Sequence, residues 1–182
     1  LLTRHLGGLA GVGADFGCGV GLLALKVLES VKVTALLLVD IDRRAIAAAR
    51  LNVADRRATF LQADLTTASP LSPAKAGVQE FSEAPVASDK KPGSPPSRGR
   101  AEPHRVLDFV VMNPPFHDGG AEDRTLGQAF IRRAAKELRQ GGTLKLVANI
   151  GLPYEAPLRE RFADLRLLEQ AGGYKVYEAR RR

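Results

Sequence analysis

Three glycines at alternate positions, Gly17, Gly19 and Gly21, separate the apolar stretch Val12-Gly13-Ala14-Asp15-Phe16 from the apolar run 22–28. A chain of L-residues turns this sharply from an extended strand into a helix only where the backbone is relieved of side chains. The spacing therefore predicts a strand, a tight loop and a helix. Glycines in such a loop let the backbone approach a ligand closely, and the helix N-terminus behind them offers free N–H groups. A second apolar run, Ala35-Leu36-Leu37-Leu38-Val39, ends in Asp40, 23 residues after Gly17. A doubly wound fold places an acid on a ribose diol at that separation. The plainer reading of Asp40 is a surface carboxylate at a strand end.

The glycine spacing argues against a dinucleotide fingerprint. G-x-G-x-x-G calls for glycine at position 22, where this chain has Leu22, and the third glycine falls one residue early at Gly21. The form is instead D-x-G-x-G-x-G from Asp15 to Gly21, in which an acid near the loop suits a nucleoside carrying a positive sulfonium better than it suits a phosphate. Cys18 lies between two of the glycines with no base near it in sequence, and it reads as a small loop residue rather than a nucleophile.

A second motif closes the apolar run Val106-Leu107-Asp108-Phe109-Val110-Val111-Met112: Asn113-Pro114-Pro115-Phe116, followed by His117-Asp118-Gly119-Gly120. Asn113 precedes a proline, which pushes its backbone towards the extended region, and the two prolines have fixed φ and no N–H to donate. The turn thus presents acceptors, the Asn113 side-chain oxygen and the Pro114 carbonyl, beside the flat face of Phe116. Two acceptors on one side take both protons of a conjugated NH2 and leave its lone pair aimed the other way. Phe116 is expected to stack on the ring that carries the amine, a contact of roughly 1–3 kcal/mol for a nucleobase. The alternative is a rigid strand-to-loop turn without chemistry.

Between and beyond these motifs the apolar period alternates. Residues 1–11 show leucines at helical spacing up to glycine stops, 43–53 a second helix, and 58–61 a third strand ending in Gln62-Ala63-Asp64. Asp64 reads either as an acceptor for an adenine amino group or as a turn cap. From 66 to 105 the texture changes. Seven of the eleven prolines fall between Pro70 and Pro103, with serine-rich stretches and Phe81 as the one aromatic. Such a segment is expected to be a flexible insertion, its basic end (Lys90, Lys91, Arg98, Arg100, Arg105) either solvated or touching RNA phosphates. Leu126, Phe130, Ile131, Ala134 and Leu138 predict a helix with Arg132, Arg133, Lys136 and Arg139 on its other face, closed by Gly141-Gly142. Residues 143–150 read as a strand, Tyr154, Leu158 and Phe162 as a short helix, and 165–169 with 174–179 as a hairpin around Gly172-Gly173. The order predicts an α/β fold with an open, mostly parallel sheet and one antiparallel strand. Its switch point lies between the first and fourth strands, whose ends carry the two motifs.

At 182 residues, 45% apolar and 26% charged, the chain fits one domain with a sizeable core. It opens Leu1-Leu2 without an initiator Met, as a piece of a longer or processed protein does, and neither a membrane span nor a secretory leader is read in it. One cysteine fits a reducing cytoplasm, and three scattered histidines assemble no metal site. The net charge of +7 is a modest argument for nucleic acid. Arg180, Arg181 and Arg182 supply three of those charges and 66–105 sets six basic against four acidic side chains, which leaves +2 elsewhere.

On these residues the chain resembles the class I S-adenosylmethionine-dependent methyltransferases: Asp15 to Gly21 matches their first motif, Asp40 their ribose acid, Asp64 their adenine-side acid, and Asn113 to Phe116 the turn of their amino-methylating branch. It is more closely similar to the bacterial small-subunit ribosomal RNA guanine-N2 methyltransferases, through Asn113 to Gly119, Val147-Ala148-Asn149 with Leu152-Pro153-Tyr154, and Gly173-Tyr174-Lys175-Val176-Tyr177. The resemblance implies a doubly wound, Rossmann-like, mostly parallel seven-stranded sheet with helices on both faces and a C-terminal antiparallel strand. It implies one methyltransferase domain over 1–182, interrupted by the flexible insertion at about 66–105. It assigns catalysis to Asn113, Pro114, Pro115 and Phe116, and S-adenosylmethionine binding to Asp15, Gly17, Cys18, Gly19, Gly21, Asp40 and Asp64. Its partner is ribosomal RNA or the small ribosomal subunit, in the cytoplasm, with no metal and no membrane. Two features depart from that family: members carry a further cofactor-free domain upstream, with no counterpart in 1–182, and they lack so long an insertion. Adenine-N6 methylation of RNA or DNA, glutamine-N5 methylation of protein, and a catalytically inactive RNA-binding domain are the other readings.

Overall fold

The computed structural model describes residues 1–67, 69–71, 107–114 and 121–182, with the backbone alone for 121–124. A 3-10 turn, Leu2–His5, is followed by β1 (Gly11–Phe16), α1 (Leu22–Leu28), β2 (Val33–Asp40), α2 (Arg43–Asn52) and β3 (Ala58–Gln62). Then come β4 (Leu107–Met112), α3 (Ala121–Glu137), β5 (Leu138–Asn149), α4 (Glu155–Arg161), β6 (Phe162–Ala171) and β7 (Tyr174–Arg181). The seven strands form one sheet in the order β3-β2-β1-β4-β5-β7-β6. All ladders from β3 to β5 are parallel, and β7 runs antiparallel to both β5 and β6.

The alternation of side chains along each strand divides the interior in two. Ala14, Phe16, Val110, Met112, Leu144 and Leu146 face α3 and α4, where Ile131, Ala134, Tyr154 and Leu158 complete one core. Leu36, Leu38, Phe109 and Val111 face α1 and α2, packing on Ala24, Val27, Ile46 and Ala49 together with Leu2, Leu6 and Leu9. Helices therefore cover both faces, as a doubly wound sheet requires. Arg57 ties the α1 end of this layer: its guanidinium donates to the carbonyls of Leu28, Ser30 and Val33 and to the Asp55 carboxylate. Those Arg57 bonds hold Asp55 down to about pKa 2.

Four details differ from the sequence reading. The leucines of residues 1–11 anchor a short 3-10 turn rather than a full helix, pinned through Arg4 and His5 to Glu169 of β6. Gly141-Gly142 does not close a helix. Leu138 already pairs with Leu107, and Thr143 pairs with Phe109, so 139–142 bulge out of β5 and Gly141 (φ 73°) brings the chain back. Arg139 consequently leaves the helix face and pairs with Asp108, whose other oxygen accepts from Val12 N. Phe162 likewise opens β6 rather than ending α4. Finally, within the predicted insertion, Pro70 is buried and Leu71 packs on the first core. The rest of that insertion lies outside the described residues.

Arg180, Arg181 and Arg182 are not tail charge. Arg180 donates to Thr143 Oγ1, Arg181 to the carbonyls of Ala135 and Arg161, and Arg182 to those of Phe162 and Arg159. The last two fasten the C-terminal ends of α3 and α4, where carbonyls lack helical partners. Tyr154, fully buried, reaches against α3 where Gly127 stands; a Cβ there would lie 1.6 Å from its hydroxyl. Any side chain at 127 would displace Tyr154 and, with it, the part of α3 that faces the crevice described next.

Candidate active site

Phe16 pairs with Met112 across the β1–β4 ladder, so the glycine loop and the Asn-Pro-Pro turn leave adjacent strand ends together. This is where the strand order reverses, at the carboxyl ends of β1 and β4. The proximity is direct: a Cβ on Gly17 would stand 3.8 Å from the Asn113 carbonyl oxygen and 3.2 Å from the Phe130 ring. A cleft of ≈ 480 Å³ opens there, within the roughly 300–1,000 Å³ range of cofactor sites. Four of the residues singled out from sequence line it, Gly17, Asp40, Asp64 and Asn113.

The loop is built by backbone bonds rather than by side chains. Gly17 N and Cys18 N both donate to the Val39 carbonyl, and Gly21 N to that of Cys18. Gly17, Gly19 and Gly21 take φ of 72°, 53° and 87°, the left-handed region that costs other residues about 1–2 kcal/mol. Asp40 organises the rim: its Oδ2 accepts from Gly19 N at 2.8 Å and its Oδ1 from Asp42 N at 2.9 Å. Each carboxylate oxygen keeps a further acceptor site, which is what a pair of neighbouring hydroxyls needs.

Of the two sequence readings of Asp64, the structure shows the turn cap. It lines the cleft, and its Oδ1 caps the following turn by accepting from Thr66 N and Thr66 Oγ1. Cys18 is buried behind the loop, its thiol pushed up to about 12 by burial and by the charges of Asp15 and Asp40. A thiol held protonated there is no nucleophile. Gly19 and Gly21 shape the loop but do not line the cleft. Asn113 is exposed at the mouth, its side chain making no hydrogen bond among the described residues, with Pro114 buried behind it. Pro115 and Phe116 lie outside the described residues.

Asp15 is the unexpected member. It is fully buried beneath the loop, and neither carboxylate oxygen has a hydrogen-bond partner. Burial pushes its pKa up to about 7; the nearby Ala24 N–H, outside hydrogen-bond geometry, lowers it and the Asp40 charge adds to the rise. The folded chain thus holds this proton more tightly than the unfolded chain, so stability falls as pH rises from 3.8 to about 7. Asp15→Asn is expected to flatten that slope and to raise the melting temperature near neutral pH, read from thermal melts across pH 4–8; an unchanged profile would remove the buried charge as its cause.

Sequence reasoning missed Ile41, Leu126 and Phe130, which supply apolar wall to the cleft. Ile41 directly follows Asp40, lines the cleft and is 64% exposed. Among the described residues no group of three or more His, Cys, Asp or Glu is placed to hold a metal ion, and no helix is long and apolar enough to cross a membrane.

The chain is 33% identical over its whole length to a ribosomal RNA small subunit methyltransferase C of Pseudomonas paraeruginosa, covering 45% of that protein. It is 30% identical over 97% of its length to the protein of the same description from Shewanella sp. (strain MR-4), covering 42% of it. The solved T. thermophilus 16S rRNA N2 G1207 methyltransferase, in complex with AdoMet and guanosine, superposes on the whole chain with a TM-score of 0.67 at 28% identity, and 41% of that structure is covered. The chain thus spans less than half the length of each of these three relatives. The methyltransferase small domain family matches residues 1–76 and 96–178, and the unmatched 77–95 fall within the 66–105 segment. With all but a short stretch of its length accounted for in this way, the chain belongs to the methyltransferase small domain family.

Proposed function

We propose that this chain transfers a methyl group from S-adenosylmethionine to the exocyclic N2 of a guanine in 16S ribosomal RNA. The observation that carries the reading is the single crevice uniting Gly17, Asp40 and Asp64 with Asn113. The residues fit the cofactor: Asp40, on the cleft rim with acceptor sites to spare, would accept from a ribose diol, Ile41 in the cleft lining would lie along a purine face, and the buried, unpartnered Asp15 favours positive charge above the loop. S-adenosylmethionine supplies a methyl group already activated by the positive sulfur. The protein's part is positioning. The Asn113 side-chain oxygen and the Pro114 carbonyl accept the two amino protons, so the nitrogen lone pair points at the methyl carbon. Transfer would form the N–C bond as the C–S bond breaks with its electron pair left on sulfur, and the nitrogen's extra proton would pass to water. Gly17 and Phe130 line the crevice side by side, a Cβ at 17 standing 3.2 Å from the Phe130 ring. The guanine must leave its stack to enter, which favours a looped or single-stranded RNA site in the cytoplasmic small subunit.

Labelled methyl transfer to 16S rRNA lacking its native methylations, followed by digestion to nucleosides, tests this. N2-methylguanosine is the expected product. N6-methyladenosine, or methylated glutamine in a protein, would overturn the guanine assignment, and no transfer despite cofactor binding would favour an inactive RNA-binding domain.

A further inference from the structure

Four basic side chains from three elements converge at the end of the sheet opposite the crevice. Arg132 and Lys136 on α3, Arg161 at the end of α4 and Arg181 at the end of β7 surround a pocket of ≈ 210 Å³, with Glu160 the one acid in its lining. The volume is several times the roughly 30 Å³ share of one water. The sequence places four cations on the outer face of α3, and the structure sorts them. Arg133 is consumed by Glu137 and the Leu65 carbonyl, and Arg139 by Asp108. Arg132 and Lys136, exposed and one helical turn apart, form no ion pair among the described residues.

Helix C-termini carry partial negative charge and ordinarily repel an anion. Here Arg181 has already taken up the Ala135 and Arg161 carbonyls, so the pocket is left with an excess of positive charge. Arg161 pairs with Glu160 at 3.1 Å through one terminal nitrogen, while its Nε is buried with no hydrogen-bond partner. A buried guanidinium N–H without an acceptor, beside two uncommitted cations, is a site lacking its anion. Planar guanidinium forks match a phosphate better than a halide or a single carboxylate.

We infer that this pocket holds a backbone phosphate of the RNA whose guanine enters the crevice. The two sites lie on one helix: Leu126 lines the cleft, and Lys136, ten residues on, lies about 15 Å along the axis. RNA would therefore be gripped at the target nucleotide and, around the outer face of α3, at a flanking strand. This rests on the RNA methyltransferase reading, but its test does not depend on turnover.

The test is the salt dependence of binding of this chain to a 16S rRNA fragment, compared with the Arg132→Ala/Lys136→Ala double variant. Each phosphate contact contributes about 0.7–0.9 to the slope of log affinity against log salt, so the variant should lose about that much from the slope. Its RNA affinity at low salt should fall about tenfold or more, with S-adenosylmethionine affinity and the melting temperature unchanged, since both side chains are exposed. Arg132→Lys with Lys136 retained should restore the slope. An unchanged slope in the double variant overturns the inference. So does competition by inorganic phosphate, at matched ionic strength, that vanishes in the variant while RNA binding stays intact, because that pocket would then serve free phosphate. A wild-type chain that methylates no RNA yet loses its salt slope on substitution would sink the methyltransferase reading and leave the pocket standing.

Discussion

Asn113→Ala is expected to slow methyl transfer about 10²–10³-fold, on the scale of losing one preorganised hydrogen-bonding group from an active site. The two acceptors of the Asn-Pro turn hold the amine weakly in the ground state and more strongly as the nitrogen becomes cationic. Removing one therefore harms the transition state in preference to the bound complex. The structure sets up a clean experiment: Asn113 is exposed, its side chain makes no hydrogen bond among the described residues, and Pro114 behind it is buried, so the fold does not lean on that side chain. Single-turnover rates at saturating cofactor and RNA should fall while both dissociation constants hold. Equal losses in rate and in RNA affinity would show that Asn113 binds the base rather than directing its lone pair.

Asp40→Ala should weaken S-adenosylmethionine about 10- to 100-fold, from a charged acceptor worth roughly 1.5–3 kcal/mol. Two losses combine. The ribose loses its carboxylate, and Gly19 N and Asp42 N lose the oxygens that hold the loop and the β2–α2 turn together. Asp40→Asn keeps one carbonyl acceptor and should fall between the two. Calorimetry measures all three proteins, and an affinity unchanged in the alanine variant would place the ribose elsewhere.

What could be read in advance follows from how local each cause is. β1, β2 and β4 are short apolar runs ended by Gly17, Asp40 and Asn113, and the crevice is where those ends meet. Their apposition needs only the chirality of the crossovers and the strand order. The β6–β7 hairpin was legible for the same reason, from Gly172-Gly173 between two alternating runs. The errors come from long-range causes. The helical period continues through Leu138 and Arg139, but Leu107 captures Leu138 into the sheet and Asp108 captures Arg139. Gly127 looks like a weak point in a helix until Tyr154 fills the space beside it. Asp15 has the identity of a ligand-facing acid, and nothing local reveals that both its oxygens are shut beneath the loop. Arg181 and Arg182 resemble a solvated tail because the carbonyls they serve come from α3, α4 and β6.

The position of β7 between β5 and β6 bears on how the chain matures during synthesis. β6 is made first but has no neighbour in the sheet until Tyr174–Arg181 has been translated and slotted between it and β5. Until then β5 presents a bare edge and Phe162–Ala171 waits without a ladder, the kind of exposed strand that invites pairing with another chain. A nascent chain at the ribosome exit can complete the crevice, whose walls come from β1 to β4 and α3, before the far side of the sheet is sealed. The interval between translation of β6 and translation of β7 is therefore the one in which this domain is most open to misassociation.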